Sequence, residues 1–216
     1  MVRDKAETKA RILAAVGKLL AESGFQQLGV NAIAREAGVD KVLIYRYFEN
    51  LPSLLQTFAR EGDYWLTADA LIGDTRTAGA ESLDEWMLLL LTRFLHDLQQ
   101  RPVTQEILRW ELLEGNELTQ ALAQVRDRMA TESLEFLEQT CSFPPDKDVP
   151  AISAVLIAGL VYLVLRTKVS PTFLGIDFTS PAGWQRIEAA IASLVQVTVL
   201  TGIPPESVTQ PTSHNS

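Results

Sequence analysis

The sequence predicts an all-α protein, with an N-terminal three-helix helix-turn-helix domain followed by a larger helical domain. Three observations carry this. Apolar residues recur at helical spacing in nearly every segment, and no strand-like alternation persists anywhere. Hydrophobic residues make up 47% and charged residues 21% of the 216, a balance that supports a packed core.

The first helix carries Ile12, Leu13, Val16, Leu19 and Leu20 on its apolar stripe, and Gly24 stops it. A short second helix runs from about Val30 to Ala37 and closes at Gly38. Asp40 is placed to cap the third, Lys41 to Tyr47. Asn50 caps a fourth helix, with Pro52 tolerated in its first turn, which is expected to reach about Ile72. Residues 73–80 (GDTRTAGA) read as a loop. Ser82 and Glu85 have capping-box spacing and open a fifth helix, with Leu83, Trp86, Met87, Leu90, Leu91, Phe94, Leu95 and Leu98 as its stripe.

Pro102 starts a sixth helix ending near Glu114, and a seventh follows from Asn116 with Leu122, Val125, Met129, Phe136 and Leu137 on one face. Residues 142–150 (SFPPDKDVP) break the chain. Two helices remain, about Ala151–Lys168 and Pro181–Thr201, joined by a loop containing proline and glycine. The expected organisation is a DNA-binding domain at 1–50, a ligand-binding and dimerisation domain at 51–202, and a flexible polar tail at 203–216.

Several function classes fall away. Cys141 stands alone, and with only His96 and His214 there is neither a disulfide framework nor zinc-ligand spacing, so no metal and no cofactor are expected. No phosphate-cradling glycine motif, nucleophile elbow or paired metal ligands appear, so no catalytic residues are expected and the chain does not read as an enzyme. The N-terminus lacks the apolar core of a signal peptide. The longest uncharged run, between Asp148 and Arg166, is 17 residues and contains Pro150, Ser153 and Gly159. It lies at the lower limit for a bilayer span and reads instead as a helix buried in a protein interface. The expected setting is cytoplasmic, without membrane attachment.

Net charge is −8, but it is unevenly spread. Residues 1–60 hold nine basic and six acidic side chains, a balance of +3, which leaves −11 for the remainder. A basic head on an acidic body suits a chain that meets phosphate at one end. Within that head, two short helices joined at Ala37-Gly38-Val39 have helix-turn-helix geometry, and the second enters the major groove. Ile33, Ala34, Val39, Ile44 and Phe48 are spaced to pack on Ile12, Val16, Leu20 and Phe25.

The stretch Arg11–Leu55 resembles the DNA-binding domain of the TetR (tetracycline-repressor) family. The resemblance rests on Ile12-Leu13-x-Ala15, Gly24-Phe25, Ile33-Ala34, Ala37-Gly38-Val39, Ile44-Tyr45-x-Tyr47-Phe48 and Leu54-Leu55. It implies that Lys41–Tyr47 is the recognition helix. Lys41 and Arg46 would meet base edges or phosphates, Tyr45 and Tyr47 phosphates and the groove wall, and Asn31 the DNA from helix two. Val42 and Leu43 stand where relatives often carry Gly and Thr, and offer apolar contact to thymine methyls. Arg3 and Lys5, ahead of helix one, would reach a neighbouring groove. Two departures weaken the match: Gly29 replaces a Ser/Thr cap, and Leu51-Pro52 replaces a Lys-Glu pair, removing one phosphate-binding cation. The second leaves open a regulator that works through protein partners alone.

For the body, the resemblance implies a small-molecule pocket, with Trp86, Phe94, Trp110 and Tyr162 as lining candidates. Arg93, Arg109 and Glu111 stay open between surface charges and ligand anchors. It also implies a homodimer whose two-fold four-helix interface uses Ile152, Val155, Leu156, Gly159 and Leu163 with Ile187, Ile191, Leu194 and Val195. The pair would place two recognition helices about 34–36 Å apart on a palindromic operator of double-stranded DNA. The expected activity is repression, relieved when a small apolar effector binds.

Overall fold

The computed structural model describes residues 2–61, 65, 67–73, 79–113 and 117–200. Among these are ten α-helices and one short hairpin: α1 (Val2–Ser23), α2 (Val30–Ala37), α3 (Lys41–Phe48), α4 (Leu51–Glu61), α5 (Ala68–Gly73), α6 (Leu83–Gln100), α7 (Pro102–Glu111), α8 (Glu117–Thr140), α9 (Val149–Arg166), β1 (Thr172–Phe173), β2 (Ile176–Asp177) and α10 (Pro181–Leu200). The expected tail, 203–216, and most of the expected loop at 73–80 lie outside the described residues.

The local chemistry of the helix ends accounts for most boundaries. Gly38 ends α2 in the left-handed region (φ 63°), its N–H donating to the carbonyls of Ala34 and Arg35. The Asp40 carboxylate accepts from the Val42 N–H at 2.8 Å, and Asn50 Oδ1 accepts from the Ser53 N–H at 2.8 Å. Gly29 has no side chain with which to cap α2, and its carbonyl takes only the Ile33 N–H. Glu85 closes the start of α6 by accepting from Ser82 and Glu81, which holds its carboxyl below the ordinary value. Asp148 caps α9 through the Ala151 N–H at 3.0 Å, with Pro150 in the first turn.

Three expectations need correction. Helix four does not run on to Ile72: α4 stops at Glu61, and Thr67 starts a separate α5 by accepting from Ala70 N–H through its hydroxyl and from Leu71 N–H through its carbonyl. The last connection is not a plain loop. Its residues form the antiparallel pair Thr172↔Asp177 and Phe173↔Ile176 around a two-residue turn. Arg3 and Lys5 do not precede helix one but sit within α1.

α6 occupies the middle of the body, packed against α5, α7, α9 and α10, while α8 packs on α4, α5 and α7. α1 touches α2, α4 and α7, so the head leans on the body through both α4 and α7. One continuous apolar cluster runs from Ile12 to Val195. Polar groups buried within it are satisfied locally; Gln105 Nε2, for example, donates to the Leu98 and Gln99 carbonyls left free at the end of α6.

The hairpin is pinned to α10. Trp184 Nε1 donates to the Phe178 carbonyl at 3.0 Å and the two rings sit 4.9 Å apart. Gly183 passes so close that an added Cβ would lie 1.8 Å from the Asp177 carbonyl oxygen. Gly183→Ala therefore forces hairpin and helix apart. We expect overpacking to cost about 3 kcal/mol, which lowers Tm by roughly 6–12 °C in a chain of this size. A thermal melt unchanged from wild type would show that the junction yields freely.

α9 is long and apolar enough to cross a membrane by length and composition, with a mean hydropathy of 2.1. Its apolar residues divide between two faces. Pro150, Ser153, Ile157 and Val161 turn toward α6 and α8, whereas Val155 (73% exposed) and Gly159 face outward.

Candidate functional site

The head presents α3 on a platform built by its own apolar residues. Ile33 and Ala34 of α2 and Ile44 and Phe48 of α3 are buried against Ile12, Val16 and Leu20 of α1. The α-helical period then turns Lys41, Val42, Tyr45 and Arg46 outward together. Val42 is 62% exposed and Tyr45 49%, high for apolar and aromatic side chains. Leu43 and Tyr47 are half-buried, and Asn31 stands exposed on α2 beside this stripe.

Cations surround the platform's aromatics. Lys5 lies over the Tyr47 ring at 5.6 Å and Arg46 at 5.2 Å, and Arg46 Nη2 donates to the Tyr47 hydroxyl at 3.3 Å. Lys9, which the sequence reading passed over, lies over Phe48 at 5.3 Å. α1 therefore supplies cations beside α3 from within the helix. The side chain of Arg3 lies outside the described residues. Lys18 pairs with Glu36 at 2.6 Å, fastening α2 to α1, and that carboxylate raises the Lys18 pKa. Arg11 Nη2 donates to the Gly38 carbonyl at 3.4 Å, on the turn itself.

The second feature is a cavity of about 430 Å³ enclosed by α5 to α9. Its wall is mainly Leu, Met, Ile, Phe and Ala, with Phe94 of α6 and Trp65 among the aromatics. Such volumes suit small organic ligands. Two charged residues stand in the wall as a pair, Glu111 at the end of α7 and Arg126 on α8. Burial pushes the Glu111 carboxyl above its ordinary value, against the pull of Arg126. Asp127, largely exposed, stands beside them.

Of the four lining candidates, the cavity takes Phe94 alone. Trp86 packs edge-on against Phe136, filling core between α6 and α8. Tyr162 points outward beside Phe173 of the hairpin. Trp110 stacks on Phe25 at 3.5 Å with the planes 17° apart, joining α7 to the turn after α1. That stack connects the two sites, because the neighbouring residue Glu111 lies in the cavity wall.

The nine interface candidates also divide. Val155, Gly159 and Leu194 are exposed, and Ile152, Leu156, Leu163 and Ile187 are half-buried. Ile191 and Val195 are buried in their own protomer, where α10 packs on α6, so they are not free to meet a partner. Arg93 and Arg109 resolve as structural: Arg93 Nη1 donates to the Leu71 carbonyl and Arg109 pairs with Glu106 on its own helix. His96 bonds Glu188 at 2.8 Å, tying α6 to α10.

The family model for bacterial regulatory proteins of the tetR family matches residues 12–56, the span from α1 to α4 that holds the platform and recognition helix. The chain belongs to the TetR family. Solved TetR-family structures extend the likeness of fold over the whole length. A TetR-like transcriptional regulator from Rhodococcus sp. RHA1 is 18% identical with a TM-score of 0.61, covering 90% of this chain and 97% of its own. The regulator FadR from Bacillus subtilis, crystallised with stearoyl-CoA, is 19% identical with a TM-score of 0.61, covering 88% and 96%. A TetR-family regulator from Haemophilus influenzae is 16% identical with a TM-score of 0.58, covering 88% and 97%. Comparison with curated proteins gave no match.

Sequence reasoning had no means of finding several features of this TetR-family chain. Glu111 and Arg126 lie 15 residues apart across the α7–α8 joint, and no local pattern marks such a pair. The Phe25–Trp110 stack joins residues 85 positions apart. In both cases the signal exists only once the helices have packed.

Proposed function

We propose that the chain is a homodimeric repressor, with residues 1–50 as the reading head and 51–202 as the sensing and pairing body, released from a palindromic operator by a small apolar ligand. The DNA-binding regulator belongs to the family; the repression, the operator form and the ligand are this proposal. The single observation that carries the reading is the route from cavity to head. Glu111 lines the cavity, Trp110 beside it stacks on Phe25, and Phe25 leads into α2. A ligand that displaces the end of α7 therefore shifts the platform under α3. α4, which packs on α3 and α8, offers a second route.

Pairing is supported by the outward face of α9 and α10, where Val155, Leu194 and Val197 are each more than half exposed. An apolar patch of this kind on two long helices marks an interaction surface, and a second copy supplies a self-complementary cover. The stearoyl-CoA complex of FadR supports a ligand with a long apolar part in this fold.

Linkage tests the coupling. The chain purified from its native host is extracted, its bound small molecule identified by mass spectrometry, and that molecule added back to the operator complex. We expect operator affinity to fall by about 5–150-fold, the usual range of allosteric coupling, with operator weakening the ligand by the same factor. Equal ligand affinity with and without DNA refutes the release mechanism.

A further inference from the structure

We propose that the cavity takes an amphiphile with an apolar body and a single amine head, and that Glu111 receives that head. The proposal deepens the ligand-release reading and rests on it. The argument is a count of unused polar groups in the wall. The Ser133 hydroxyl donates to the Met129 carbonyl at 2.9 Å, so its proton is engaged. Arg126 is occupied on three sides: Nη1 donates to Glu111 Oε2, Nε lies 4.0 Å from Asp127, and its guanidinium sits over the Trp65 ring at 5.9 Å. The other carboxylate oxygen of Glu111, Oε1, is buried and has no partner.

A buried acceptor without a donor favours any ligand that brings one. Charge then selects among donors. The cluster holds one cation, Arg126, against two carboxylates, Glu111 and Asp127, so a carboxylate head would have to displace Glu111 from Arg126 and face an uncompensated anion. An alcohol satisfies the hydrogen bond but not the charge. A protonated amine satisfies both, and the Trp65 and Phe94 rings, 6.3 Å apart and tilted by 52°, offer it π-faces. The apolar remainder lies along α6, α8 and α9.

The test uses three probes of equal chain length, decylamine, decan-1-ol and decanoate, titrated calorimetrically into the full chain below their micelle-forming concentrations. Decylamine is expected to bind about tenfold or more tighter than decanoate, with decanol between them. Glu111→Gln should shrink the amine-to-carboxylate ratio to within about threefold, leaving decanol within about twofold of wild type. Asp127→Asn leaves the buried pair in place and guards against misfolding of the first variant; it should narrow the ratio with an unchanged melt. Decanoate binding as tightly as decylamine, or a ratio unaltered in both variants, overturns the proposal while leaving a ligand site standing. Failure of all three probes to bind overturns the ligand-release reading and this inference with it.

Discussion

Replacing Lys41 and Arg46 together by alanine is expected to weaken operator binding by about 100-fold, from the loss of charge-assisted contacts in each half-site. Both side chains lie on the outward stripe of α3, where nothing apolar depends on them, so the melt should move by no more than about 0.5 kcal/mol equivalent. The salt dependence separates two roles. Each lost phosphate contact lowers the slope of log K against log salt by about 0.9, so four contacts across a dimer remove up to about 3.6. Base readers instead leave the slope nearly unchanged and relax sequence preference. Anisotropy titrations over a salt series measure both, and an unchanged affinity would show that α3 does not read DNA.

The second large effect concerns pairing. Val155→Asp places a carboxylate on the outward face of α9, and two-fold symmetry brings both copies to one interface. An unpaired buried charge costs about 3–5 kcal/mol, and here it occurs twice. Sedimentation should show a monomer at micromolar concentration, with operator binding lost because each head then holds only a half-site. The protomer should remain folded, since Val155 touches little of its own chain. Ile191→Ala gives the opposite pattern. That residue is buried against α6, so the variant loses about 2–4 kcal/mol of protomer stability without a direct effect on the interface. An unaltered sedimentation coefficient for Val155→Asp would contradict the assignment of this face.

The contrast between Val155 and Ile191 marks where the sequence stops being legible. The head was readable because its signals are local: a glycine in the turn, Asp40 and Asn50 as caps, and Ile33, Ile44 and Phe48 at core spacing. α10 carries apolar residues on two faces, so periodicity places Ile191, Leu194 and Val195 on apolar surface without saying which surface meets α6. Depth in the three-dimensional core decides that, and it turns Leu194 out while Ile191 and Val195 go in. Trp86 and Phe94 pose the same difficulty. They share a stripe on α6, yet Phe136 fills the space beside Trp86 while the space beside Phe94 stays open. The break between α4 and α5 escaped notice for another reason, because Thr67 caps a helix of only six residues with no glycine or proline before it.

Selection of binding sites from random double-stranded DNA with the full chain tests the whole account most directly. Two copies of Lys41–Phe48, presented by a two-fold pair, should enrich an inverted repeat with half-site centres one helical turn apart, about 10–10.5 base pairs, or a multiple of it. Enrichment of a single asymmetric motif, or of none at low salt, would contradict it.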